Sequence, residues 1–205
     1  MKSRLRNVLV GVTALGMAAV GYVGGKEGLK LVSYPDIVGV WTGCYGETKG
    51  MHKGMKFTKG QCDSMLIDSL VDHETGMRKC LKDPDAIPDK SYLAFLSNSY
   101  NVGVGAFCRS SMARLANAGD LRGACNALIL YVNAGAKKNV RGLVLRRTDE
   151  RKLCLEGLGK WEPFSSSCAR SACPPASSSG CWPFTRACQR FATFPSPIAS
   201  PWCGN

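Results

Sequence analysis

From Val8 to Gly25 the chain reads VLVGVTALGMAAVGYVGG, 18 residues without a charge, preceded by Lys2, Arg4 and Arg6. A basic front followed by an apolar run is the pattern of an export signal, and 18 residues stands near the lower limit for a membrane-spanning helix. Gly11, Gly16, Gly21, Gly24 and Gly25 dilute the run, so such a helix would hold a bilayer weakly. A cleaved signal peptide and an uncleaved anchor that can later leave the membrane both fit these residues. From residue 33 to 57, β-branched and aromatic residues alternate with glycines, which predicts short hairpins.

Helical periodicity takes over next. Thr58 and Gln61 have capping-box spacing, and Cys62, Met65, Leu66, Leu70, His73, Met77 and Leu81 recur on one face. That stripe makes His73 a helix-face residue rather than a catalyst. Pro84 and Pro88 interrupt, Leu93, Leu96 and Tyr100 mark a helix over 90–101, and Gly103 and Gly105 stop it. Further helices are expected over 110–118, 120–132 and 141–156, the last lined by Leu143, Arg147, Glu150 and Cys154. Small β elements in front and helices behind predict an α+β fold. No internal repeat is present.

Three regions follow: a signal-anchor segment over 1–25, a globular domain over 26–158, and a tail over 159–205. The tail holds seven of the ten prolines, nine serines and five of the eleven cysteines, a mixture that predicts loops or disorder.

The net charge of +12 points to an anionic partner, whether nucleic acid, lipid surface or bacterial wall polymer. Eleven cysteines place the chain in an oxidising compartment. Zinc is the rival explanation for them, but only His52 and His73 are available, no C-x-x-C pair occurs, and HETGM lacks the second histidine of a zincin helix. No metal and no cofactor are expected. An odd cysteine count leaves at least one thiol outside any pairing within the chain.

Glu27, Asp36 and Thr42 stand at intervals of nine and six residues. On a straight strand Asp36 and Thr42 would lie about 20 Å apart, so they share a site only if the chain turns back, and Pro35 and Gly39 supply the residues for that turn. Glu27 would close a helix just upstream. Two carboxylates in one cleft suit glycosidic hydrolysis, one delivering a proton and the other staying ionised, with a hydroxyl to hold water. Singly, each residue also reads as a helix terminus or a turn.

Together these residues resemble a family. The order Glu27, eight residues, Asp36, five residues, Thr42 is similar to that of phage endolysins of the T4-lysozyme-like muramidase type, glycoside hydrolase family 24. The likeness continues in GCYGETKG after Thr42, SYNVGVGAF at 99–107 and RGLVLRRTDERKLCLEG at 141–157, covering about 26–157. It implies a lysozyme-like fold, with a small N-terminal hairpin region packed on a mainly helical lobe and an apolar helix in front. It further implies Glu27 as general acid, Asp36 as the residue that positions or activates water, and Thr42 completing the site, while Tyr45, Gly46, Asn101 and Arg147 look structural. The implied reaction is hydrolysis of the β-1,4 bond between N-acetylmuramic acid and N-acetylglucosamine in peptidoglycan, without cofactor, metal or nucleic acid, by a monomer.

The Gly/Ala-rich N-terminus is similar to that of the signal-arrest-release subgroup, which implies residence at the periplasmic face of the host inner membrane and then release to the periplasm. In some of that subgroup a cysteine in the segment exchanges disulfides with the site; residues 1–43 here contain none, so a topological route is expected instead. The alternatives are a lytic transglycosylase acting on the same bond and a non-catalytic cationic protein binding membrane or wall.

Overall fold

The computed structural model describes residues 2–159, apart from 8, 10, 37, 134 and 136. The tail expected to be loop-rich lies outside the described residues. Among those described, the order is β1 (Arg6–Asn7), β2 (Gly11–Val12), α1 (Ala14–Glu27), β3 (Lys30–Pro35), β4 (Trp41–Cys44), α2 (Lys59–Lys79), α3 (Asp89–Val102), α4 (Val104–Cys108), α5 (Ser111–Asn117), α6 (Leu121–Ala127), a 3₁₀ turn (Leu128–Leu130) and α7 (Arg141–Gly157). The architecture is α+β, as the residue pattern predicts.

The apolar N-terminal run does not form one helix. Thr13 divides it: its extended backbone and side chain cap α1, accepting from the Gly16 amide at 3.1 Å, while Arg6–Asn7 and Gly11–Val12 pair antiparallel as β1 and β2. The expected boundary at residue 25 falls inside α1. Leu5, Ala19 and Val23 are fully buried in the domain's core, each Leu or Val side chain contributing about 1.5–3 kcal/mol. Among the described residues no helix is long and apolar enough to cross a membrane.

The glycines of α1 fall into two sets. A Cβ on Gly16 would collide with the Leu5 carbonyl oxygen, and one on Gly24 would stand 2.9 Å from the Tyr45 ring; these two let neighbouring chain approach. Gly21 and Gly25 face open space at ordinary backbone angles.

α2 starts on the expected capping box, with Gln61 Oε1 accepting from the Thr58 amide at 2.8 Å and Thr58 Oγ1 from the Gln61 amide at 3.3 Å. Cys62, Leu66, Ile67, Leu70 and Met77 form its buried face. α3 is buried along Ser91–Ser99 and serves as the central helix, with α1, α2 and α7 packed around it. Gly103 ends α3 as expected, but the chain re-enters a helix, α4, at once. The helix expected over 120–132 stops at Ala127 and tightens into the 3₁₀ turn. Disulfides Cys44–Cys62, Cys80–Cys108 and Cys125–Cys154 tie β4 to α2, α2 to α4 and α6 to α7.

β3 and β4 pair antiparallel, with Tyr34 opposite Thr42 and Pro35 opposite Trp41. Between Lys30 and Tyr34 the register shifts, so that Lys30 opposes Cys44. The extra residues of β3 bond elsewhere: Ser33 donates its amide to the Met55 carbonyl and Leu31 accepts from the Phe57 amide.

Candidate active site

Glu27 is the last residue of α1. Gly28 follows with φ +79°, a backbone region that side-chain-bearing residues avoid, and the helix therefore stops one residue after the carboxylate. Arg146 of α7 donates from Nη1 to Glu27 Oε1 at 2.7 Å. The Glu27 side chain keeps 23% of its exposure, and among the described residues Oε2 has no hydrogen-bond partner. One oxygen is thus held and the other faces outward.

Arg146 is itself held from behind. Its Nε donates to Glu150 Oε1 at 3.2 Å and its Nη2 to the Ser97 carbonyl at 3.3 Å. Glu150, fully buried, also accepts from Ser97 Oγ at 2.7 Å and pairs with Arg147. Arg147, likewise fully buried, bonds the Asn101 side chain and donates from Nε to the Tyr131 carbonyl at 3.1 Å. Two guanidinium groups and one carboxylate inside the lobe are sustained because each is hydrogen-bonded. Burial nonetheless lowers the pKa of Arg147, the Glu150 charge working against it. Asn101 and Arg147 thus hold supporting places in the lobe, as the resemblance implies for them.

Tyr100 of α3 lies close enough to feel the same carboxylate. Its phenol pKa is pushed up first by burial and then by the charge of Glu27, with Glu47 adding to it, and its ring stands 4.9 Å from that of His73. His73 hydrogen-bonds the Ser69 carbonyl at 2.9 Å on the face of α2. Tyr45 packs beside Gly24 and donates to Asp63 at 2.7 Å, burial and that carboxylate raising its pKa.

Asp36 and Thr42 share the β3–β4 hairpin. Asp36 Oδ1 accepts from the amides of Val38 at 2.9 Å and Val40 at 2.8 Å, and its carbonyl accepts from Gly39 at 3.0 Å, so the residue closes the turn. The period of two places it on the hairpin face carrying Tyr34 and Thr42. The turn back sets Tyr34 opposite Thr42, so Asp36, two residues past Tyr34, stands much nearer Thr42 than a straight strand would allow. Thr42 is buried and donates from Oγ1 to the Val40 carbonyl at 3.1 Å, leaving its lone pairs to accept from water. Cys44, two residues beyond, opposes Lys30 just after α1, so β4 runs from the Asp36 turn back toward the Glu27 end. The structure places Asp36 at the turn and Thr42, opposite Tyr34, on the returning strand of the same hairpin, and joins Glu27 to that hairpin through Gly28.

Residue spacing does not reveal Arg146. Its only sequence trace is the Arg146–Arg147 doublet with Glu150 three and four positions on, on a helix face that otherwise goes inward. Among the described residues there is no group of three or more His, Cys, Asp or Glu side chains arranged to hold a metal ion.

The phage lysozyme family matches residues 24–150. The SAR-endolysin of Enterobacteria phage P21 is 38% identical over 154 residues, spanning 72% of this chain and 92% of that protein. The active form of the P1 phage endolysin superposes with a TM-score of 0.61 at 27% identity, over 71% of this chain and 85% of that one. An endolysin from Escherichia coli O157:H7 phage FAHEc1 gives 0.63 at 27% identity, over 71% and 96%.

Proposed function

The chain belongs to the phage lysozyme family and is a glycoside hydrolase of the muramidase type, and from that premise we propose that it cleaves the β-1,4 bond between N-acetylmuramic acid and N-acetylglucosamine, with Glu27 as its acid. The family implies peptidoglycan as the substrate. The observation that carries the reading is the Glu27 carboxyl, fixed at Oε1 by a buried-side guanidinium and open at Oε2. An acid needs one oxygen free to meet the leaving glycosidic oxygen and a support that keeps it there.

In this mechanism Glu27 Oε2 gives its proton to the leaving oxygen as the sugar develops oxocarbenium character. Thr42 accepts a hydrogen bond from a water molecule, and the Asp36 carboxylate steadies the developing positive charge, orients that water and takes its proton as the water oxygen bonds the anomeric carbon and the glycosidic bond breaks. Arg146 acts through Glu27, as a positioning residue. The chain works as a monomer.

The apolar run over 8–25 occupies the host inner membrane first and is then released intact, after which residues 14–27 lie in the domain as α1. The support is the composition of the run, the SAR-endolysin relatives, and the two glycines at 21 and 25 for which the folded domain supplies no packing reason. Glycines there lower the insertion energy of a membrane helix.

Glu27→Gln tests the catalytic reading. Glutamine keeps the shape and still accepts from Arg146 but has no proton to give, and turnover on wall sacculi should fall by about two to four orders of magnitude. Retention of more than a tenth of the parent rate would remove Glu27 from the acid's role.

A further inference from the structure

The two faces of β3 have different fates. Ser33 points inward: it is buried, its Oγ donating to the His52 carbonyl at 2.7 Å and accepting from the Met55 amide at 3.0 Å. The other face holds Lys30, Val32, Tyr34 and then Asp36, with Thr42 set opposite Tyr34. Residues 55–57 run along the remaining edge of β3, where Lys56 pairs with Val32 as an antiparallel bridge. The flanking bonds run from the Ser33 amide to Met55 and from the Phe57 amide to Leu31. Val32 and Lys56 therefore do not bond each other, and their side chains stand close on one face. Lys56 thus shares the face of Asp36 and Thr42.

Lys30 and Lys56 are exposed, and neither has an ion-pair partner among the described residues. Nearby acids are engaged elsewhere: Asp36 Oδ1 by its turn amides, and Glu47 Oε1 by the amides of Thr48 at 3.0 Å and Lys49 at 2.9 Å. Val32 and Tyr34, 51% and 38% exposed, lie between the lysines and the Asp36 turn. Along the face the order is cation, apolar shelf, carboxylate, over about 20 Å, and it begins three residues past Glu27.

We propose that Lys30 and Lys56 take the carboxylates of the wall's peptide strands, and that Val32 and Tyr34 seat the chain that leads to them. The proposal rests on the reading of the protein as an enzyme acting on peptidoglycan, and it names the part of that polymer the hairpin holds. What lies along this face also lies against Asp36 and Thr42, so its occupant is a molecule already in the site. The N-acetylated sugars of peptidoglycan carry no charge; its carboxylates sit on the peptides that branch from the muramic acid. Unpaired cations beside the site thus have no counterpart on the sugar chain and have one on the peptide. Exposed lysines attract such groups weakly and in a salt-dependent way, which suits a grip on a polymer that is released after each cut.

The test uses the full-length chain and its Lys30→Ala, Lys56→Ala and doubly substituted variants, on wall sacculi before and after carbodiimide amidation of their carboxylates. On native sacculi each single change should raise KM about two- to fivefold and the pair about tenfold, with kcat within about twofold. Lys56→Arg should keep KM within about twofold of the parent's. Amidation should raise the parent's KM about tenfold and the double variant's less than about twofold, because both changes remove one interaction. A double variant with the parent's KM on native sacculi overturns the proposal, and so does a loss of equal size on native and amidated sacculi. Should the double alanine variant not fold, Lys30→Gln with Lys56→Gln decides by the same readings. Cosedimentation with both kinds of sacculi reads the contact without the chemistry. A parent that does not cut, yet sediments with native sacculi through these two lysines, would remove the catalytic reading and leave the shelf standing. Lysine-dependent binding to phosphatidylglycerol vesicles, with sacculus binding untouched, would make the face a membrane surface and overturn the proposal.

Discussion

Glu27 and Asp36 stand nine residues apart, yet they are held in opposite ways. Glu27 is backed by α7, 119 positions away, through Arg146 and then Glu150, Ser97, Arg147 and Asn101 in the helical lobe. Asp36 is held by the amides of its own turn, on a hairpin whose Leu31, Val32, Tyr34, Val38 and Val40 are all substantially exposed. Placement of Glu27 is therefore a property of the whole lobe, whereas placement of Asp36 is local. Substitutions behind Glu27 should cost stability and activity together; substitutions on the hairpin should cost activity alone.

The largest effect expected is from Glu150→Ala. It leaves Arg147 buried without a counter-charge and Arg146 with Glu27 alone, which typically costs about 3–5 kcal/mol. The melting temperature should fall by about 10 °C or more, and wall hydrolysis should fall with it because Arg146 loses its anchor. A variant that melts within about 2 °C of the parent would show that the lobe does not depend on this network.

Asp36→Asn probes the other side. Asparagine can accept the same two turn amides, so stability should move by no more than about 0.5 kcal/mol, as for most surface changes. Turnover should nevertheless fall by roughly ten- to a thousandfold through loss of the charge. Full activity would detach Asp36 from the chemistry and leave it a turn residue.

These contrasts also explain what could be read from the residues. The hairpin that carries Asp36 and Thr42 was legible because Pro35 and Gly39 encode a local turn. α2, α3 and α7 were legible from periodicity and caps. Arg146 was not, because its partner is remote and an arginine on a helix usually points to water. The fate of residues 8–25 was not either. An uncharged, glycine-diluted run suits a membrane and a protein core alike, and only the contacts of Leu5, Ala19 and Val23 show the core-bound arrangement. Lys2, Arg4 and Arg6 read as an export signal, and periodicity carries no trace of the hydrogen bonds that Ser3 and Arg4 make to Glu74 across the fold.

The smallest test sharpens the comparison inside α1, the helix that carries the acid. Gly16→Ala should destabilise by about 1–3 kcal/mol by forcing Leu5 away, with some loss of turnover. Gly21→Ala adds a methyl to open space in a helix interior and should stabilise by about 0.5–1 kcal/mol, leaving the isolated enzyme's rate unchanged. Equal effects at the two positions, by thermal or denaturant unfolding, would erase the distinction between the two sets of glycines.

The central claim is that Glu27 serves a hydrolysis in which water, directed from the hairpin, attacks the sugar. Digestion of wall sacculi by the full-length chain in water enriched in heavy oxygen, with mass spectrometry of the released muropeptides, tests it most directly. The account predicts reducing N-acetylmuramic acid ends that carry the label. Products with unlabelled 1,6-anhydro ends would contradict it, since the muramoyl sugar would then have closed on itself, as in a lytic transglycosylase.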